Sequence, residues 1–202
     1  MKLFITFVPQ QQNLLSIHYV PKNDPLLEYG EKTKFPIIPV INGYTKPGDE
    51  IRMLVVEQDH PFCHRNKELF LEEFHALCEK KQLTCASVEV LEVPFDDSVD
   101  THLTTFQKLI DRICDDDDIH ACISFGSKPA PMVMMMALRY ARMLRKNTYV
   151  NCVAYGHVVD FQTAEGEIYD ETTLALLDDI MRLMSSSGES NPKEMIDRIL
   201  GL

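Results

Sequence analysis

Two spacings of hydrophobic residues alternate along the chain and predict its strands and helices. Apolar runs rich in β-branched and aromatic residues predict five strands, at 2–8, 51–57, 86–93, 119–125 and 148–155. Apolar residues at helical spacing predict five helices, at 65–81, 101–114, 131–144, 172–184 and 193–202. The pair Glu165–Gly166 lies between short β-prone runs and predicts a hairpin within 158–170. The pattern is weakest over 9–47, where the proline-containing stretch 35–44 fits either a helix opened by Pro36 or an irregular packed segment.

This alternation of strands and helices predicts a particular architecture. Helices of this length between strands are typical of parallel βαβ units, so we expect an α/β, Rossmann-like, open and mostly parallel sheet of about five or six strands. Helices should cover both faces, and a C-terminal β-hairpin should follow the parallel strands. A chain of 202 residues suits one domain. We place that domain at 1–185, followed by a linker and a short C-terminal helix at 186–202.

Charge and composition narrow the classes of partner. The net charge of −11 argues against binding to duplex nucleic acid, which requires many cationic side chains on one face. A small anionic ligand needs only a few donors and stays possible. No apolar run approaches the roughly 20 residues that span a bilayer, so no membrane association is expected. The N-terminus has no signal-peptide pattern, and six cysteines occur singly, which favours reduced thiols and a cytoplasmic location.

The turn after the fourth predicted strand is the first candidate site. Ligands of open parallel sheets bind outside the carboxyl ends of the strands, where the topology switches direction. There Gly126 permits close approach of a ligand, Ser124 and Ser127 add hydroxyls, and Lys128 adds a positive charge at the start of a helix. These groups fit a phosphate site. The alternative is a plain tight turn with a solvated lysine, because a single glycine-lysine turn is a weak motif.

The loop after the first predicted strand is the second candidate. Its sequence "VPQQQN" offers uncharged donors and acceptors from Gln10, Gln11 and Gln12, which suit bases, riboses or a phosphate that must be positioned. A polar surface loop explains the same residues equally well.

Three further stretches have plainer explanations. The segment "HPFCH" at 60–64 contains residue types that bind zinc, but no second pair stands at suitable spacing, so we favour a structural or incidental loop. The acidic run "CDDDD" at 114–118 precedes the fourth strand and should form a solvated loop at the sheet edge opposite Lys128. The methionines of 132–136 are explained by adaptable packing in the core or at a subunit interface.

The stretch "CISFGSK" at 122–128 resembles the fourth-strand motif of CRISPR-associated Rossmann-fold (CARF) domains. That motif has an acidic or amide residue, any residue, Ser or Thr, three further residues and a basic residue. Ser124 and Lys128 match it, whereas Cys122 stands where the family usually has Asp or Asn. "LFITFV", "GDEIRMLVVEQ", "NCVAYGHV" and "GEIYDETTLALLDDI" are similar to the first, second and fifth strands, hairpin and final helix of one CARF branch. The resemblance covers about residues 1–185.

The resemblance implies a homodimer that binds a cyclic oligoadenylate second messenger across its two-fold axis. Too few residues follow the linker for an effector domain. A stand-alone CARF-like domain is most similar to ring nucleases, which cleave the messenger in type III CRISPR antiviral signalling. Cleavage would need no metal or cofactor, because a ribose 2′-OH attacks its own adjacent phosphate and the protein orients the groups and stabilises charge.

The candidate residues follow from the resemblance together with the two loops. Lys128 would stabilise charge, while Ser124 or Ser127, with a glutamine such as Gln11, would orient the reacting groups. His157 is a candidate base, although a single His in that position is more often structural. The expected catalytic residues are Lys128, Ser124 and Gln11. The expected ligand-binding residues are Pro9, Gln10, Gln11, Gln12, Ser124, Gly126, Ser127, Lys128 and His157.

Two other functions fit the same sequence. A CARF-like sensor would bind the messenger without cleaving it, and would pass the signal to a partner or sequester the ligand. An unrelated α/β protein would hold a nucleotide or a phosphorylated metabolite at the same turn. Assays of binding and cleavage separate the three.

Overall fold

The structure, a computed structural model, describes residues 1–188 and 191–201. The strands are β1 (Lys2–Phe7), β2 (His18–Pro21), β3 (Glu50–Gln58), β4 (Thr84–Val93), β5 (Asp118–Cys122), β6 (Tyr149–Asp160) and β7 (Glu165–Asp170). The α-helices are α1 (Ile37–Tyr44), α2 (Pro61–Lys81), α3 (Val99–Ile110), α4 (Ala130–Leu144), α5 (Thr172–Ser187) and α6 (Pro192–Leu200). A 3₁₀ turn, Pro25–Leu27, precedes α1. None of the helices in these ranges is long and apolar enough to cross a membrane.

The strands form one sheet in the order β2-β7-β6-β5-β1-β3-β4. Strands β4, β3, β1, β5 and β6 are parallel, while β7 pairs antiparallel with β6 and parallel with β2. The predicted Rossmann-like α/β fold with a C-terminal hairpin is confirmed. The seventh strand, β2, was missed because four residues that end in proline are too short to show a period.

The central strands are buried from both sides, which explains their nearly continuous apolar sequences. In β1 every residue after Lys2 is buried. Helices α1 and α2 pack on the face that carries Phe4, Met53 and Cys122. Helices α3 and α4 pack side by side on the other face. The stretch 35–44 therefore resolves into helix α1, which Pro36 opens.

The hairpin differs from its prediction in register. Strand β6 continues past 155, the predicted end of this strand, and ends at Asp160. The turn occupies 161–164, where Ala164 has a φ of 57°. Glu165 and Gly166 open β7 instead of forming the turn. A glycine is needed in β7 because a Cβ at Gly166 would lie 2.6 Å from the carbonyl oxygen of His157.

The chain forms two compact units, Met1–Thr172 and Thr173–Leu202. The first contains the whole sheet with α1 to α4, and the second consists of α5 after its first residue and α6. Ser186 and Ser187, which were predicted as linker, continue α5. Residues 189 and 190 of that linker and residue 202 of the last predicted helix lie outside the described residues. Within the second unit, the side chain of Asn191 caps α6 by accepting from Glu194 N–H.

Candidate functional site

The topology of the sheet places the candidate site between two loops. After β1 the chain crosses to β2 at the far edge of the sheet and returns through α1 to β3, whereas β5 leads through α4 to β6. The loop after β1 lies against α2 on one face of the sheet, and the turn after β5 leads into α4 on the other face, so the two leave the carboxyl edge toward opposite faces. This divergence creates the crevice in which parallel α/β sheets bind their ligands.

The β5–α4 turn is fixed by its glycine and a serine. Gly126 has a φ of +104°, and a Cβ there would lie 2.6 Å from the Cβ of Ala130 and 3.2 Å from the Phe7 ring. No other residue fits without movement of the turn. The Ser124 hydroxyl accepts a 2.7 Å hydrogen bond from Gly156 N–H, which ties the turn to β6.

The unbonded backbone N–H groups of the candidate site lie in this turn and not in the first turn of α4. The N–H groups of Ala130, Met132 and Val133 are already used, by Ser127 O in the first case and Pro129 O in the other two. By contrast, the four consecutive N–H groups of 125–128 make no hydrogen bond within residues 1–188 and 191–201. Successive unbonded N–H groups form a concave site that favours anions.

Lys128 adds a full positive charge to these donors. Its side chain is exposed, and it forms no ion pair with any residue that the structure describes. Other lysines near the sheet are engaged, as Lys34 is with Glu73 at 3.1 Å. A charged group that serves no internal partner at a concave backbone site is well placed for an external anion.

Cys122 acts as a buried hydrogen-bonding group. It is fully buried, and its Sγ lies 3.2 Å from the Ser124 Oγ. Burial raises the pKa of the Cys122 thiol, while hydrogen bonds from the Ser124 side chain and backbone oppose the shift. The buried thiol thus contacts Ser124, and its raised pKa disfavours the thiolate form.

Side chains of α2 hold the loop after β1 through hydrogen bonds to its backbone. The buried Asn66 donates from Nδ2 to Pro9 O at 2.8 Å and to Gln11 O at 2.9 Å. Arg65 donates to Gln12 O. Gln10 Nε2 donates to Oε1 of Gln58 at the end of β3.

A cavity of about 400 Å³ lies between the two loops. Gln11 lines it from the first loop and Phe125 from the β5–α4 turn. Its other lining residues come mainly from the segment through β2 and from the hairpin: Asn13, Leu14, Leu15, Ile17, Tyr19, Lys34, Val158 and Phe161. The wall is therefore largely apolar and aromatic, with amide groups at its edge.

His157 does not join this site. It lies within β6, and alternation along the strand turns its side chain to the face opposite Gly156. The imidazole stacks between Tyr155 at 5.6 Å and Tyr169 at 6.0 Å. Its buried Nδ1 has no hydrogen-bond partner within the described chain. These contacts agree with a structural role.

The "HPFCH" segment begins α2 and is not a loop. The His60 side chain caps the helix by accepting from Phe62 N–H, and Cys63 is buried. His64 lies 2.8 Å from the buried Glu57 carboxylate, a contact that raises the pKa of the imidazole. Among the described residues, no three His, Cys, Asp or Glu side chains are arranged to hold a metal ion.

The acidic run lies at the amino edge, opposite Lys128, as predicted. The expectation of a solvated loop is wrong for Asp117, whose side chain is 2% exposed and lies 3.3 Å from Arg52. Asp117 also accepts from Cys114 N–H at 2.7 Å, so it organises the turn into β5.

The methionine run divides between core and surface. Met134 is fully buried, whereas Met132 is 64% exposed and Met136 is 58% exposed. The two exposed methionines are four residues apart on α4 and therefore share one face.

Several residues of the site were missed at the level of sequence. Asn66 gave the clearest available signal, because it is a polar residue on the buried face of a predicted helix, where Phe70 and Phe74 also lie. Gln58, the last residue of β3, could have been noted from its place at a carboxyl strand end. No signal identified Tyr19 or Phe161, because only the folding of β2 and the hairpin brings them to the cavity.

No protein-family model matches the chain, and no curated protein matches it in sequence. The chain is thus characterised by its own architecture, as an α/β protein with a mostly parallel seven-stranded sheet. Its candidate site lies between the loops that follow β1 and β5, at the carboxyl ends of these strands, and is called the β1/β5 edge below.

Proposed function

We propose that the protein binds cyclic oligoadenylate at the β1/β5 edge as a homodimer, and that it cleaves the ring without a metal. One observation carries the nucleotide part of this proposal. Phe125 belongs both to the turn that offers unbonded N–H groups and to the wall of the aromatic cavity. A phosphate site thus adjoins a pocket for a flat ring, which is the combination that a nucleotide requires.

The phosphate would lie against 125–128, where backbone donors and Lys128 supply positive potential. The base would enter the cavity, whose volume of about 400 Å³ is in the usual range for small-molecule pockets. Tyr19, Phe125 and Phe161 offer aromatic surface, while Gln11 and Asn13 offer donors and acceptors for base edges.

The cyclic ligand and the dimer rest on the resemblance to CARF domains, with support from the surface of α4. Exposed Met132 and Met136 lie on the helix that the turn opens, and exposed Val99 and Leu103 begin the neighbouring α3. Such a cluster suits a subunit interface. Two facing turns would share the charge of one ring, so a protein of net charge −11 needs only one such lysine per subunit.

In the proposed reaction, a ribose 2′-oxygen forms a bond to its adjacent phosphorus as the bond from phosphorus to the 5′-oxygen breaks. The 2′-OH proton is lost and the 5′-oxygen gains a proton, so the products are a 2′,3′-cyclic phosphate and a 5′-OH. Lys128 stabilises the charge on the phosphate oxygens. Gln11 and Ser124 orient the reacting groups. Ser124 Oγ accepts from Gly156 N–H, and with the neutral Cys122 thiol as a second donor to Oγ the serine keeps its own hydrogen for the ligand.

The test is to incubate purified protein with cyclic tetra-adenylate and cyclic hexa-adenylate, and to measure binding and separate the products. Linear products ending in a 2′,3′-cyclic phosphate are expected without added metal. Tight binding with an intact ring would contradict the nuclease and favour the sensor. Failure to bind either ring at micromolar concentration would contradict both and favour a different phosphorylated ligand.

A further inference from the structure

A small cavity beneath the β5–α4 turn connects residues that the proposed reaction does not use. Its volume is about 10 Å³, close to the room that one water molecule needs. Polar side chains reach it from three elements: Gln58 at the end of β3, His102 on α3 and Ser127 in the turn. Apolar side chains of β1, β4 and α4 close the remaining sides.

The polar groups around this cavity have unused hydrogen-bonding capacity. His102 Nε2 is buried and has no partner within the described residues. The Ser127 hydroxyl likewise makes no hydrogen bond in that part of the chain. Gln58 uses Oε1 to accept from Gln10, which leaves its NH₂ group as a donor. A buried polar atom without a partner is unfavourable, so a polar cavity of this size favours a bound water.

The acidic group that also borders the cavity is already engaged. Asp96 accepts from Ser98 N–H at 2.8 Å, and its carboxylate also accepts from the side chains of Ser98 and Thr101. The nearby Thr105 hydroxyl donates to Thr101 O at 2.8 Å. Among the side chains that border the cavity, Gln58, His102 and Ser127 are thus the ones that retain a polar atom with no hydrogen-bond partner in the described chain.

We propose that one water molecule occupies this cavity and that His102 acts through it as a positioning residue for Ser127. The water accepts from the Gln58 amide and donates to His102 Nε2 and to Ser127 Oγ. Because the Ser127 oxygen then accepts on its inner side, its hydrogen is directed away from the cavity, toward an anion at the turn. The water site stands independently of the proposed function, whereas its effect on ligand affinity rests on that function.

This arrangement connects the two candidate loops. Gln10 binds Gln58, Gln58 binds the water, and the water binds Ser127, so movement of either loop is transmitted to the other. The link explains why Gln10 turns its amide to Gln58 and why a histidine lies beside the turn.

The first test examines the ligand-free protein by NMR. A long-lived water should give an Overhauser effect to the Ser127 amide in the wild type. His102→Gln, which places an oxygen near the position of Nε2, should retain it, and His102→Phe should lose it. His75→Phe changes an exposed histidine of α2 and should leave the signal unchanged. Absence of the water in the wild type, or an unchanged signal in His102→Phe, would overturn the inference.

The second test measures affinity for cyclic tetra-adenylate in the same four proteins. Affinity should fall about tenfold in His102→Phe, because Ser127 loses its orientation, and stay within about threefold in His102→Gln. Equal affinity of His102→Phe and the wild type would overturn the positioning role. If the wild type binds no cyclic oligoadenylate, the proposed function fails, while the NMR result still decides whether the water site exists.

Discussion

At the scale of residues, the candidate site combines a glycine whose backbone and packing disfavour any side chain with an exposed lysine. Gly126 combines a left-handed backbone with close packing, whereas Gly48 has a similar φ of +86° and nothing within 4 Å of a Cβ. A side chain at Gly48 would meet backbone strain alone, whereas a side chain at Gly126 would meet both strain and steric contact, so comparing the two glycines separates these effects. Lys128 is the opposite kind of residue, exposed and without structural partners among the residues described.

Gly126→Ala should destabilise the protein by roughly 2–4 kcal/mol, because left-handed strain of about 1–2 kcal/mol adds to the contact with Ala130. Gly48→Ala should show the strain alone and lose about 1 kcal/mol. Urea unfolding of the two variants gives the difference. Equal losses would mean that the turn relaxes freely and is not fixed by packing.

Lys128→Ala should reduce affinity for cyclic oligoadenylate at least tenfold and leave Tm within about 2 °C of the wild type, since an exposed unpaired lysine contributes little to stability. Lys146→Ala, at an exposed turn of the amino edge, serves as the control and should change neither property. Calorimetry measures both. A large fall in Tm for Lys128→Ala would identify a structural lysine instead.

At the scale of elements, the start of α2 positions the loop after β1. Asn66 is fully buried and satisfies two carbonyl groups of that loop. The loop is thus attached to a helix that is itself packed on the sheet. Its conformation is then held before any ligand binds.

Asn66→Ala should cost about 1–3 kcal/mol, because the buried carbonyl of Pro9 loses its donor. Ligand affinity should fall as well, since Gln11 would no longer be held. Asn151→Ala, an exposed asparagine of β6, should stay within about 0.5 kcal/mol of the wild type. Chemical denaturation and ligand titration test both expectations; an Asn66→Ala protein with unchanged affinity would show that α2 does not position the loop.

The elements also show how far sequence patterns reach. The strands around β1 were predicted because burial on both faces produces unbroken apolar runs. Strand β2 was not predicted, because its four residues are held in a strand by their pairing with β7 and show no pattern of their own. Likewise, pairing with β7 extends β6 to Asp160, beyond the predicted end of that strand at Tyr155.

At the scale of the whole molecule, buried histidine makes stability depend on pH. His120 is buried between Phe4 at 4.8 Å and Tyr44 at 4.7 Å. Burial, and then the charge of Lys2, lowers the pKa of His120 to about 4. Below about pH 6.5 the histidine is protonated in the unfolded chain but stays neutral in the folded protein. The free energy of unfolding therefore decreases as the pH is lowered from about 6.5 to about 4.

The loss assigned to His120 between pH 7 and pH 5 should be about 2 kcal/mol. His120→Phe keeps an aromatic ring in the same stack and should lack this part of the pH dependence. Urea unfolding of both proteins at the two pH values measures it. Their comparison is needed because His64, whose pKa is raised by Glu57, acts in the other sense and loses stabilisation as pH rises. Equal losses in the two proteins would contradict the assignment.

The proposed dimer is also a property of the whole molecule. Analytical ultracentrifugation should give twice the mass of the chain, and Met132→Lys combined with Met136→Lys should give a monomer, because charge would enter an apolar interface. Val20→Lys, on exposed edge strand β2, is the control and should stay dimeric. A wild-type monomer would contradict the proposed shared pocket.

The sequence by itself determined the βαβ order, the buried strands and the turn from Ser124 to Lys128, because hydrophobic period and glycine placement act locally. Only the tertiary structure decided which groups meet. Phe125, Tyr19 and Phe161 line one cavity. Asn66 binds the backbone of the loop that carries the glutamines, and His157 lies on the opposite face of the sheet. The physical reason is that strand pairing and helix packing bring together residues far apart in sequence, and a local hydrophobic pattern carries no information about which distant residues will be in contact.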